Sequence, residues 1–125
     1  MTNRKPVDTL ENPTNEKAAE FVKSAVSEHK TVILVGNCWV NYKGRASSKL
    51  EPGERIVMIK DDGSVLVHRS TGYVPVNWQP AGCMFQTTVK GDNLQVRATR
   101  RKPHESVTIS FDNVFLVSSM RLLDR

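Results

Sequence analysis

The segment Pro75-Val76-Asn77-Trp78-Gln79-Pro80 sets an asparagine and a tryptophan side by side between two prolines. Because proline fixes the backbone angle φ, the two prolines restrict how this pair is oriented. The face of a tryptophan can stack on a nucleic-acid base, which contributes about 1–3 kcal/mol per base. An asparagine amide presents a donor beside an acceptor and so matches the edge of a base. The segment favours base binding, although Trp78 could instead cover the end of a core and Asn77 could bond its own backbone in a turn.

A second segment, Tyr42-Lys43-Gly44-Arg45-Ala46-Ser47-Ser48, combines an aromatic ring, two cations and a flexible glycine. An arginine such as Arg45 can bind the phosphate that leads into a base pocket. Arg97 alternates with apolar residues of an expected strand, so we expect it to point outward. A basic run follows that could either contact phosphates or be solvated only: Arg100, Arg101 and Lys102.

The sequence contains no recognisable catalytic centre. Its histidines, His29, His68 and His104, are far apart, and none has a carboxylate or cysteine at the spacing of metal ligands. Metal-dependent nucleases need a Glu-x-Lys pair to hold cations and water, and residues 28–30 spell this pattern. However, they end an expected helix, where the glutamate and the lysine point in different directions. We therefore expect no catalytic residue, no metal ion, no cofactor and no cleavage by this chain.

Charge and composition suggest an intracellular protein with an anionic partner. The 125 residues carry a net charge of +5, and the excess falls after residue 30, where a folded basic surface favours a polyanion. No apolar run approaches the roughly 20 residues that span a membrane, and the N-terminus lacks a secretory signal. We expect a cytoplasmic protein in which Cys38 and Cys83 are reduced, buried thiols.

The order of elements predicts a mainly β fold. Residues 1–13 are polar and contain two prolines, so we interpret them as a flexible arm. Thr14 or Asn15 can cap an amphipathic helix that runs to about Lys30. Short strands then follow at regular spacing, which is typical of an antiparallel barrel or sandwich. The strands are expected at residues 31–35, 38–48, 55–60, 64–68, 73–78, 83–89, 94–101, 105–111 and 114–123, with a turn at 51–54.

Four ordered motifs lie within residues 30–125: Gly44-Arg45-Ala46, Gly53-Glu54-Arg55, Asp62-Gly63-Ser64 and Pro75-Val76-Asn77-Trp78-Gln79-Pro80. In this order they resemble the archaeal and actinobacterial mismatch-specific endonucleases known as NucS or EndoMS. The resemblance implies an N-terminal half-open, PH-like or sandwich-like β-barrel that binds DNA and forms a homodimer, while a separate C-terminal domain cuts. It also implies that mispaired bases flip into a pocket of this barrel. In that pocket Asn77 and Trp78 would bond and stack the base, and Arg45 would grip DNA with Tyr42 beside it.

Two departures from the family pattern affect these expectations. The chain ends at Arg125, near the start of the family's linker, so we expect neither the nuclease centre nor a contact with the sliding clamp. Tyr73 stands where relatives often carry a cation, and Arg69 could compensate. The residues predicted to bind single-stranded or mismatched DNA, in a single domain over residues 14–125, are Tyr42, Lys43, Arg45, Arg69, Asn77, Trp78, Arg97 and Arg100. The alternative is a non-catalytic module for protein interaction or dimerisation.

Overall fold

The computed structural model describes residues 7–124, which form eight β-strands and one α-helix. All strand pairs in this part of the chain are antiparallel. The predicted mainly β fold with one N-terminal helix is therefore confirmed. The elements in chain order are β1 Val7–Glu11, α1 Asn15–Ser27, β2 Thr31–Lys43, β3 Ser47–Ile59, β4 Val65–His68, β5 Asn77–Gln79, β6 Met84–Lys90, β7 Asn93–Arg101 and β8 His104–Met120.

One curled sheet contains all eight strands, in the order β5-β4-β3-β2-β8-β7-β6, with β1 paired to β8. β8 is long enough to pair with β2 on one edge and with both β1 and β7 on the other. Two hydrogen bonds join the β3–β4 turn to the segment before β6: Gly82 N donates to the Asp62 carbonyl at 2.9 Å, and Cys83 N to the Gly63 carbonyl at 3.3 Å. They draw the ends of the sheet together into a half-open barrel.

The core lies between the sheet and α1. Along β2 every second residue is buried from Val32 to Val40, because successive side chains of a strand point to opposite faces. We call the face with the buried residues the inner face and the opposite one the outer face. The apolar stripe of α1, which includes Ala18, Val22 and Ala25, belongs to the same buried cluster. The helix thus covers the inner face, while the outer-face residues of β2 are half-buried up to Asn41 and exposed at Lys43.

The N-terminal segment differs from the predicted flexible arm over residues 1–13. Residues 7–11 form β1, which pairs with β8 from Leu116 to Met120, whereas residues 1–6 lie outside the described residues. This edge of β8 is available because β7 pairs only as far as Phe111, and a strand edge attracts a further strand. The hydroxyls of Thr9 and Ser118 lie 2.8 Å apart, and Leu10 packs against the core.

Three predicted interruptions of strands do not occur. Residues 31–43 form the single strand β2, and residues 104–120 form the single strand β8. Neither strand is interrupted, because the β2–β8 ladder shifts register at bulges where turns were predicted. The predicted turn at 51–54 lies within β3. Pro52 is tolerated there because it has no partner at the β2–β3 bulge, and β4 pairs only with residues 56–59 of β3. Conversely, of the predicted strand at residues 73–78 only the end is a strand, as part of β5, Asn77–Gln79.

The helix begins as predicted and ends earlier. Lys17 N donates to the Thr14 hydroxyl at 3.2 Å, which is the capping bond expected of that residue. The helix ends at Ser27 because His29 adopts a positive φ of 56°. Residues 7–124 contain no helix long and apolar enough to span a membrane. The cytoplasmic location stays a prediction.

Both cysteines are free, but only Cys38 is buried as predicted, whereas Cys83 is half-buried. Removal from water raises the pKa of both thiols, since burial disfavours the charged thiolate.

Candidate nucleic-acid interface

A groove of about 430 Å³ opens at one end of the barrel, and we call it the inner groove. The strand register assigns Tyr42, Asn77 and Arg100 to the face that carries the buried core residues. β5 reaches this groove because it pairs with β4 and because Val76 N donates to the Val67 carbonyl at 2.8 Å. Four predicted site residues are thereby brought together. The groove is lined by Tyr42, Ser48, residues 75–80, Arg100 and Glu105.

A carboxylate that the sequence analysis missed connects two of these residues. The Tyr42 hydroxyl donates to Glu105 Oε2 at 2.5 Å, and Arg100 Nη1 lies 3.4 Å from Glu105 Oε1. The hydrogen bond to Glu105 is the main cause that raises the pKa of Tyr42, with smaller effects from burial and from the negative charge of Glu105. Glu105 lies directly opposite Arg100 in the β7–β8 hairpin. The sequence signal for this pairing is the short turn between the expected strands 94–101 and 105–111, which places Arg100 close to Glu105 across the hairpin.

Gly44 allows Tyr42 to reach Glu105. A Cβ atom at position 44 would lie 2.2 Å from the Tyr42 hydroxyl and 3.2 Å from Glu105 Cγ. Any side chain there would displace the phenol. The glycine of the Gly-Arg-Ala motif therefore has a packing role, in addition to the flexibility expected from the sequence.

Asn77 and Trp78 reach the inner groove from opposite faces of β5. Asn77 lies opposite Val67 on the inner face, and Trp78 lies opposite Leu66 on the outer face. The Trp78 side chain is 58% exposed, so it does not cover the core as the alternative interpretation would require. Trp78 also lines a smaller groove of about 250 Å³ along the outer face of β4.

Gln79, the next residue, carries an unsatisfied acceptor. It is only 7% exposed and lines the inner groove. Its Oε1 atom accepts no hydrogen bond from any of the described residues. A buried acceptor without a donor costs about 1–3 kcal/mol, so this amide lowers the stability of the groove wall. In the sequence, Gln79 stands out only as a member of the Pro-flanked segment.

A second groove, of about 410 Å³, lies beside the inner groove and shares Tyr42 and Ser48 with it. We call it the outer groove, since alternation along β2 puts Asn41 and Lys43 on the outer face. No carboxylate lines it. Lys43 and Arg97 were predicted as site residues, whereas the two other cations were not, because only the strand register brings them together. The four cations of the outer groove are Lys43, Lys49, Lys90 and Arg97.

Arg45 and Arg69 line neither groove. Arg45 is exposed in the bend between β2 and β3, and its positive charge acts weakly on Tyr42 in the direction that lowers the pKa of the phenol. Arg69 is exposed just after β4. DNA contacts by the eight predicted residues stay predictions. In residues 7–124 no group of three or more His, Cys, Asp or Glu residues is arranged to hold a metal ion.

Comparison with known sequences gives consistent matches over most of the chain. The family described as the endonuclease NucS N-terminal PH-like domain matches residues 28–125. Endonuclease NucS of Thermococcus kodakarensis is 36% identical over 118 residues, covering 94% of this chain and 46% of the relative. Endonuclease NucS of Pyrococcus horikoshii is 40% identical over 114 residues, covering 91% and 44%. This chain spans less than half the length of these relatives.

Solved structures have the same fold. A structure of EndoMS in complex with double-stranded DNA superposes with a TM-score of 0.91 at 34% identity, covering 98% of this chain and 51% of that chain. A repair endonuclease from Pyrococcus abyssi gives a TM-score of 0.83 at 33% identity, with 95% and 51% covered. The predicted half-open antiparallel β-barrel is therefore confirmed, and its architecture is PH-like.

Proposed function

The chain belongs to the family of the endonuclease NucS N-terminal PH-like domain, and we propose that it binds DNA and receives an unpaired or mispaired base in its inner groove. The observation that carries this proposal is the groove itself. Trp78, which is exposed, and Asn77 both line this space of about 430 Å³. This volume lies in the range of small-ligand sites, and one base is a ligand of this kind. The similarity to a structure of EndoMS with double-stranded DNA supports the proposal.

Within the groove, Trp78 supplies the stacking surface and Asn77 supplies the hydrogen bonds. A ring on which a base stacks must be accessible, and Trp78 is. Asn77 precedes Trp78 in the same strand and lines the same groove, so we assign to its amide the hydrogen bonds to the edge of the base. Stacking recognises every base because each has a π-face.

The phosphates that flank the base bind the outer groove and the cations around it. Four cations without a carboxylate are suited to neutralising a sugar–phosphate backbone. Arg45 and Arg69 are further phosphate contacts at the exposed ends of β2 and β4. Affinity should consequently fall as salt concentration rises, because neutralised phosphates release counterions.

Selectivity for damaged pairing follows from the cost of removing a base from the helix. Unstacking and unpairing cost a few kcal/mol, and least where the pair is already poor. A pocket that binds any extruded base therefore prefers mispaired or single-stranded DNA without reading sequence. We propose that cleavage is performed by a part of the protein outside this chain. The DNA-binding role proposed for this chain needs no cofactor. We likewise propose that any contact with a sliding clamp is made by residues outside this chain.

We further propose that the domain forms a homodimer through the outer face. Cross-strand neighbours on this face form a continuous apolar strip that is half-buried to exposed, and contiguous apolar surface of this kind is typical of an interface. A second copy can cover it by two-fold symmetry, which is the commonest arrangement in oligomers. The strip comprises Ile33, Val35, Ile56, Met58, Leu66 and Leu116.

The base-binding proposal is tested by fluorescence anisotropy with matched, mismatched and single-stranded oligonucleotides over a series of salt concentrations. Trp78→Ala should weaken binding to mismatched and single-stranded DNA by about 1–3 kcal/mol, or roughly 5- to 150-fold. Matched duplex should bind with nearly unchanged affinity.

The control is Tyr73→Ala, which removes an aromatic ring that is 93% exposed and lines neither groove. If folded Trp78→Ala keeps the preference of the wild type, or if the wild type binds no DNA at low salt, the proposal is wrong. The chain would then be a module for dimerisation or protein interaction.

A further inference from the structure

The two grooves differ in net charge although they share Tyr42 and Ser48. The outer groove has four cations and no carboxylate. The inner groove has one cation, Arg100, and one carboxylate, Glu105. Because these charges cancel, the inner groove has no net attraction for a phosphate, whereas the outer groove has a strong one.

Glu105 is the residue that creates this difference. Its Oε1 lies 3.4 Å from Arg100 Nη1, and both side chains are partly buried. Its Oε2 accepts the Tyr42 hydroxyl. An arginine without this partner would offer several N–H donors in the geometry that phosphate prefers. Glu105 occupies Arg100 and adds a negative charge that repels phosphate.

Glu105 also indicates what the inner groove binds. Its two oxygens each accept one hydrogen bond, from Arg100 and from Tyr42, and each retains a free lone pair. A phosphate at neutral pH is essentially an acceptor and cannot bond these oxygens. The edge of a nucleobase carries N–H groups and can.

We propose that Glu105 is a specificity-determining residue that makes the inner groove accept an uncharged, N–H-donating base and reject phosphate. This inference rests on the function proposed above and adds to it a physical separation of base and backbone. Without Glu105, Arg100 becomes an extra phosphate site, which strengthens binding to any DNA and weakens the preference for an extruded base.

The test compares wild type, Glu105→Gln and Glu20→Gln by anisotropy, using one matched duplex and the same duplex with a single unpaired base, over a series of salt concentrations. Glu20→Gln changes the net charge equally on the exposed side of α1. For Glu105→Gln we expect tighter binding of matched duplex, with a salt dependence steeper by about 0.9 in log–log slope, as for one more phosphate contact. The preference for the unpaired base should fall several-fold.

A double variant isolates the role of Arg100. Arg100→Gln combined with Glu105→Gln should return the salt dependence of matched duplex to the wild-type slope. Circular dichroism establishes that each variant is folded.

The outcomes distinguish this inference from the function on which it rests. If the wild type prefers the unpaired base and folded Glu105→Gln behaves like Glu20→Gln, the inference is wrong and the proposed function stands. If the wild type shows no preference and Trp78→Ala changes nothing, the proposed function fails and the inference fails with it. If the double variant keeps the steeper salt dependence of Glu105→Gln and does not return to the wild-type slope, the role of Arg100 is also contradicted.

Discussion

Tyr42 owes its position in the inner groove to two other residues. Glu105 accepts its hydroxyl, and Gly44 leaves the space that the hydroxyl occupies. The hydrogen bond exists only while the phenol is protonated, which is why the pKa of Tyr42 is raised above its ordinary value of 10.0. The stabilising contribution of this bond is therefore fully present below pH 10. It is lost as the pH rises through the raised pKa of the folded state.

Replacing Gly44 by alanine should break this arrangement. The new Cβ would overlap the Tyr42 hydroxyl, so the phenol must leave Glu105 and its pKa should move down toward the ordinary value. Ultraviolet absorbance during a pH titration measures this change, in a Tyr73→Phe background that leaves Tyr42 as the one tyrosine. Ala46→Gly, at the other end of the same bend, is the control and should leave the titration unchanged. A raised Tyr42 pKa that persists in Gly44→Ala would show that the hydrogen bond survives.

Single residues could be predicted from the sequence when their chemistry is visible in their type. A stacking ring and an amide between prolines identified Trp78 and Asn77, and both line the inner groove. Residues whose role depends on a partner across the sheet could not be found this way, because strand register is not visible in composition. Those residues are Glu105 and Gln79 in the inner groove, and Lys49 and Lys90 in the outer groove.

At the scale of elements, the β2–β3 ribbon has an internal polar support. The ladder shifts between Cys38 and Val40, and a bulge interrupts the regular pairing of backbone groups. Arg55, which is buried, donates from Nη1 to the Cys38 carbonyl at 2.7 Å. Gly53 makes room for it, since a Cβ there would lie 2.9 Å from Arg55 Nη2. The arginine of the Gly-Glu-Arg motif thus stabilises the ribbon that carries Tyr42.

Loss of this support should be measurable as a loss of stability. Arg55→Met keeps a similar apolar length but leaves the buried Cys38 carbonyl without its donor, which should cost about 1–3 kcal/mol in the free energy of unfolding. Urea denaturation followed by circular dichroism gives the value. Arg69→Met, at an exposed position, should change it by no more than about 0.5 kcal/mol. Equal stabilities of the two variants would show that the Arg55 hydrogen bond contributes nothing.

The type of each element was easier to predict than its length. Alternation of apolar residues identified the strands, and the cap at Thr14 identified the start of α1. The bulges that join residues 31–43 into β2 were not predictable, because Gly36 and Asn37 are equally suited to a turn. Gly36 is needed where the backbones of β2 and β8 meet, since a Cβ there would lie 2.2 Å from the Asn113 carbonyl. β1 was missed because its pairing depends on the free edge of β8.

At the scale of the whole molecule, the outer face of the sheet has two parts with different character. Near the start of β2 it is an apolar strip that includes Val35 and Ile56. Toward the end of β2 it becomes the basic outer groove. The apolar strip and the outer groove share no residue, so a second copy seated on the strip is compatible with DNA binding in the outer groove. The net charge of +5 would be doubled in such a dimer and would steer it toward DNA.

The dimer proposal predicts that one added charge on the strip separates the copies. Ile56 is 38% exposed, so Ile56→Lys should fold as a monomer, but burying the ammonium at an apolar interface is unfavourable. Analytical ultracentrifugation should therefore give twice the mass of one chain for the wild type and a single mass for Ile56→Lys. Leu123→Lys, at a residue that is 77% exposed and outside the strip, should remain dimeric. If the wild type sediments as a monomer, or if Leu123→Lys dissociates while Ile56→Lys does not, the interface lies elsewhere.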